Sequence, residues 1–108
     1  MRLSKQQITL IINAISPFIA NESCELRLFG SRVHDEAKGG DIDLLLVTDK
    51  EKLLNSLLLN KHKILAAIKK EIGDQKIDLK IASQKEDQSD PFLKIILPDS
   101  ITLKLWKS

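Results

Sequence analysis

Two aspartates one residue apart, Asp41 and Asp43, stand at the head of the apolar run Ile42-Leu44-Leu45-Leu46-Val47. Side chains alternate with period two along a strand, so both carboxylates project from one face. Held about 5 Å apart at an effective dielectric near 20, they repel by roughly 3 kcal/mol. A divalent cation removes that repulsion, and hard oxygen ligands are what magnesium prefers. Upstream, Gly30-Ser31 follows a short strand. Glycine there permits close backbone approach, and a serine opening a helical turn sets its hydroxyl beside free N–H groups, which together cradle a phosphate. Downstream, Asp78 is an early residue of a third strand and points away from Ile77, Leu79 and Ile81. That strand could pair beside Asp41 and Asp43. Carboxylates for a metal, a phosphate cradle and an acid near an attacking oxygen are the parts that phosphoryl or nucleotidyl transfer requires.

Neighbouring polar residues are less specific. Arg32 could contact a phosphate or the acceptor, since a guanidinium suits bidentate oxygen recognition, or it could be a solvated helix residue. His34 reads as an exposed loop histidine and His62 as solvent-facing on a long helix. Lys61, Lys63, Lys69, Lys70 and Lys76 form a basic run of the kind that is usually a solvated face. Trp106, the only tryptophan, reads as an anchor at the edge of the core.

The elements that must position these residues follow from periodicity. Ile8, Ile11, Ile12, Ile15 and Ile19 recur at helical spacing, and Ser4 with Gln7 makes a capping box, with Leu3 and Ile8 placed as a hydrophobic staple. The first helix is expected over 5–16, kinked or ended by Pro17. Glu25 to Phe29 is a short strand, and Ser31 caps a helical turn through Glu36. The second strand, Asp41 to Val47, is apolar on both faces beyond its acids and so belongs in the centre of a sheet. Thr48 with Glu51 forms a further capping box, opening a helical region to Ile72 that breaks near Asn60 and stops at Gly73. Lys76 to Ala82 alternates as the third strand, Ser83 to Ser89 is a polar loop, and Asp90-Pro91 starts a short helix ended by Pro98. Ile101, Leu103 and Leu105 alternate in a last edge strand. The fold class is α/β: a small mixed sheet with helices packed against it.

Composition narrows the function. A chain of 108 residues with 43% hydrophobic and 30% charged residues is expected to form one soluble domain, 1–108, with a genuine core. A formal charge of +2 and 4% aromatic residues argue against nucleic acid as the principal ligand. The single Cys24 excludes an internal disulfide, fits a cytoplasmic protein and reads as a small buried hydrophobe. No apolar run approaches the roughly 20 residues of a membrane span. The residues between Asp41 and Leu44 lack the polar and glycine ligands of an EF-hand, and no Walker A, dinucleotide fingerprint or His-Glu-x-x-His motif is present.

Gly30-Ser31, a nine-residue spacer, Asp41-Ile42-Asp43 and the later Lys76-Ile77-Asp78-Leu79 resemble the signature of the polymerase-beta-type nucleotidyltransferase superfamily. The likeness is strongest to its minimal nucleotidyltransferases, which act as antitoxins beside HEPN-type toxins. It implies a single nucleotidyltransferase-type domain in which Asp41 and Asp43 hold Mg2+. Asp78 completes that metal site or activates the acceptor, and Gly30 and Ser31 bind the phosphates. The implied activity is transfer of AMP from ATP, or of another NTP's monophosphate, to a hydroxyl of a partner protein, a HEPN-type toxin. The length leaves no room for a second domain to hold the acceptor. Two other readings remain: a non-catalytic module that neutralises a toxin by occlusion, and the nucleotide-binding subunit of a small-molecule nucleotidyltransferase.

Overall fold

The computed structural model describes residues 4–29, 42–73, 75–83 and 100–107. Among them are three helices and four strands, in the order α1 (Lys5–Ile19), β1 (Cys24–Phe29), β2 (Ile42–Thr48), α2 (Glu51–Leu59), α3 (Lys61–Ile72), β3 (Ile77–Ser83) and β4 (Ile101–Trp106). The strands form one mixed sheet, β3-β2-β1-β4. The β2–β3 pair is parallel, joined through α2 and α3, whereas β1 pairs antiparallel with both β2 and β4. This is the α/β architecture of a mixed sheet with packed helices that the periodicity predicts.

All three helices lie on one face of the sheet. Ile11, Ile15 and Ile19 from α1, Leu53 and Leu57 from α2, and Ile64 and Ile68 from α3 meet Cys24, Leu26 and Leu28, Ile42, Leu44 and Leu46, and Leu79 in the main core. The opposite face carries its own buried set, Phe29, Leu45, Val47 and Ala82. Strand β2 is therefore apolar on both sides, which is why it sits inside the sheet. No helix among the described residues is long and apolar enough to cross a membrane.

The start of α1 is as expected. The Gln7 N–H donates to Ser4 Oγ at 3.1 Å and the Ser4 N–H donates to Gln7 Oε1 at 3.1 Å, closing the capping box; Leu3 lies outside the described residues. The end of α1 corrects the sequence. The helix does not stop at Ser16 but carries Pro17 inside its last turn and reaches Ile19, with Ala20 and Asn21 both left-handed at φ 55° and 65°. Burying Ile19 on the core stripe is worth about 2 kcal/mol, which favours continuing the helix past Pro17.

A second correction concerns Thr48, which does not cap α2. The N-cap is Lys50, without a side-chain hydrogen bond, and Thr48 ends β2 instead. Its buried hydroxyl donates to the Ser23 carbonyl at 2.8 Å and accepts the Lys50 N–H at 3.1 Å. The hydroxyl is used to clip β2 to the entry of β1 and to turn the chain, leaving nothing for α2. A third correction is that β3 extends through Ser83, so the polar loop does not begin there. The break at Asn60 and the stop at Gly73 appear as expected. Gly73 takes φ 95° and ψ −179°, a region essentially restricted to glycine. The predicted turn after Ser31 and the short helix after Asp90 lie outside the described residues.

Candidate active site at the head of two parallel strands

The face of the sheet turned away from α1, α2 and α3 is a grid of side chains read off the strand register. Phe29 of β1 faces Asp43 of β2, and Asp43 faces Asp78 of β3, forming one row across three strands. The next row is Arg27, Leu45 and Lys80, and the third is Glu25, Val47 and Ala82. Neighbouring strands lie about 4.8 Å apart, so Asp43 and Asp78 stand side by side on one face.

Several contacts fix that register. The Ile42 N–H donates to the Lys76 carbonyl at 3.0 Å, tying the heads of β2 and β3 together just before the two acids. On the other face Leu79 is buried, and Ile77 and Ile81 pack against the main core. A slip of one residue would send those apolar side chains to the acid face and turn Asp78 toward the helices, which burial forbids. Asp43 is half-buried and Asp78 exposed, so both carboxylates reach water or a ligand.

The chain leaves β1 at Phe29, opposite Asp43, and returns at Ile42. Gly30, Ser31, Arg32, His34 and Asp41 fall between these points and lie outside the described residues. The structure thus brings together two of the three predicted acids, Asp43 and Asp78, at the end of the sheet where the glycine-serine segment begins. Among the described residues no group of three His, Cys, Asp or Glu side chains converges on a metal position. The carboxylate pair nevertheless supplies hard oxygen donors on one face, the chemistry a magnesium ion takes.

On the β1 side the site is braced by a polar network. The Arg27 guanidinium donates to Glu25 Oε2 at 2.6 Å, to Ser100 Oγ at 2.6 Å and to Thr102 Oγ1 at 3.0 Å, joining β1 to the start of β4. Around Cys24, burial pushes the thiol up to about 12, so it is no nucleophile and reads as the buried hydrophobe expected. His62 and the lysines at 61, 63, 69, 70 and 76 are exposed, as the basic run predicts. Trp106 packs against the core and donates from Nε1 to Ser16 Oγ at 3.2 Å.

Periodicity misses one feature, a cavity of about 320 Å³ beside Asp78, which Phe29, Lys61 and Lys80 help to line. Lys80 carries a weak signal in sequence, because it stands two residues after Asp78 and so shares its face. The contribution of Lys61 from α3 is tertiary and has no local signature.

Comparison with individual curated proteins gives no match. A family model does: the one described as a nucleotidyltransferase domain matches residues 13–102, a span that includes the glycine-serine segment and the strands bearing Asp43 and Asp78. With most of its length matched and its two described acids in register, the chain belongs to the nucleotidyltransferase domain family.

Proposed function

We propose that the chain, acting as a single domain over 1–108 in the cytoplasm, transfers AMP from ATP to a hydroxyl of a partner protein. The observation that carries this reading is the pairing of Asp43 with Asp78 across parallel strands. Family membership supports nucleotidyl transfer from an NTP in general. The choice of AMP, and of a HEPN-type toxin as the protein modified, rests on the resemblance to minimal nucleotidyltransferases.

In this reading Asp41 and Asp43 would hold magnesium, and Gly30, Ser31 and Arg32 contact the triphosphate. Bound magnesium would neutralise phosphate charge and favour in-line displacement. The acceptor oxygen bonds to the α-phosphorus while the bond from that phosphorus to the β-phosphate oxygen breaks. Pyrophosphate leaves with the electron pair. Asp78, on the outermost of the three strands that form the row and open to solvent, takes the acceptor's proton.

The test is incubation with labelled ATP, magnesium and the protein that co-purifies with the chain, followed by mass spectrometry of both. Asp78→Asn is expected to keep the partner bound and to lower transfer by at least about a hundredfold. A variant that transfers as well as wild type removes Asp78 from the chemistry. A partner silenced without any nucleotide adduct shows neutralisation by occlusion instead.

A further inference from the structure

The cavity beside Asp78 has a composition that the transfer chemistry alone does not explain. It opens where β3 forms one edge of the four-stranded sheet, with Phe29, Leu58 and Ile81 as apolar wall and Lys61, Lys80 and Asp78 as charged groups. At about 320 Å³ it lies at the lower end of small-ligand sites, room for one side chain or a small metabolite. Leu58 keeps 51% of its surface in water there, apolar area that an occupant would cover. The two lysines arrive from different elements, Lys80 from the strand bearing Asp78 and Lys61 from the start of α3. Both line the cavity, whereas Lys63, Lys69 and Lys70, further along α3, stand exposed and are not among its lining residues. Among the described residues that line it, Lys61 and Lys80 bring positive charge to the cavity from two sides of Asp78.

We propose that this cavity is the acceptor subsite and that it selects a hydroxyl flanked by an anionic group, a carboxylate or a phosphate. The inference rests on the transfer reading given above. The hydroxyl lies toward Asp78, the apolar part of the acceptor covers Leu58 and Ile81, and Lys61 and Lys80 hold the anion. Two sources fit this chemistry: an acidic protein segment around a tyrosine or serine, and a small phosphorylated alcohol.

The test measures binding and transfer in the same samples. The probes are a tyrosine pentapeptide flanked by glutamates, its lysine-flanked counterpart, and glycerol 3-phosphate, each titrated calorimetrically with magnesium present. The acidic peptide is expected to bind at least about tenfold tighter than the basic one, as charge-assisted contacts from a half-buried and an exposed lysine allow. Lys61→Glu with Lys80→Glu reverses that order. Lys80→Gln, in a variant whose melting is unchanged, weakens the preference without reversing it. Displacement of the acidic peptide by glycerol 3-phosphate supports the proposal with a small-molecule source; persistence of the peptide supports it with a protein source. Equal affinity for both peptides, or binding of neither, overturns it. So does displacement by Mg-ATP, which would put the triphosphate in the cavity. A preserved charge preference without nucleotide appearing on any bound acceptor leaves the anion-selective cavity standing and removes the transfer reading instead.

Discussion

Replacing Asp43 and Asp78 by asparagine, singly and together, isolates the repulsion that the strand register imposes. The register puts the two residues opposite each other on adjacent strands, about 4.8 Å apart at the backbone. With carboxylates about 5 Å apart, Coulomb's law gives roughly 3 kcal/mol at an effective dielectric of 20 and about 0.8 kcal/mol in bulk water. Asp43 is half-buried and Asp78 exposed, which places the metal-free pair between those limits, near 1.5 kcal/mol. The stability of a single variant does not report this cleanly. Lys80 stands two residues from Asp78 on the same face, about 6.6 Å along the strand, and its attraction is lost with the charge. The double-mutant cycle cancels that contribution. Each single substitution relieves the repulsion and the second has none left to relieve, so the double variant should be less stable than additivity predicts by about 1.5 kcal/mol. Urea unfolding of the four proteins at low salt, with EDTA, measures it. At about 1 M salt, where the Debye length is near 3 Å, the coupling should fall below about 0.5 kcal/mol. Additive variants at low salt would show that the carboxylates do not face each other, and the candidate site would lose its geometric basis.

Two further expectations concern stability away from the acids. The buried Cys24 thiol, raised from 9.0 to about 12 chiefly by desolvation, keeps its proton in the folded protein while the unfolded chain loses it. Stability therefore falls as pH rises from 9 to 12, by about 1.4 kcal/mol per pH unit, and a Cys24→Ala variant followed over the same range should lack that slope. At the end of α1, Ala20 holds a left-handed φ of 55° on an exposed position; Ala20→Gly should raise stability by about 0.5–1 kcal/mol, read as a melting shift of a few degrees.

The placement of the acids was readable in the chain wherever it depended on local period. Alternation turns Asp43 out of the core and Asp78 away from Ile77, Leu79 and Ile81, and the two-sided apolarity of β2 predicts its inner position. Gly73 and the capping pair Ser4 and Gln7 likewise act within a few residues of themselves. What the sequence left open is the choice of register between β2 and β3, separated by two helices, which decides whether the acids oppose each other or lie staggered. That choice is made by the buried side chains on the far face and by the Ile42 to Lys76 hydrogen bond. The misjudged residues failed for the same reason. Pro17 stays helical because Ile19 has a core to reach, and the Thr48 hydroxyl is claimed by a carbonyl 25 residues away. Lys61 enters the cavity only through the placement of α3.

The placement of Trp106 makes the chain's only indole a reporter on one event. It sits near the end of β4, opposite Cys24 of β1, with its ring against the core and its N–H on Ser16 of α1. Residues of β1 and β4 that pair are more than 70 positions apart, so this edge forms only after a long stretch of chain has been closed, at an entropic cost that grows as the logarithm of its length. Intrinsic fluorescence in a refolding experiment would therefore time the docking of β4 against β1 and α1. A probe on α3 or β3 would time the assembly of the parallel pair, and a difference between the two traces would separate the β1–β4 edge from formation of the acid row.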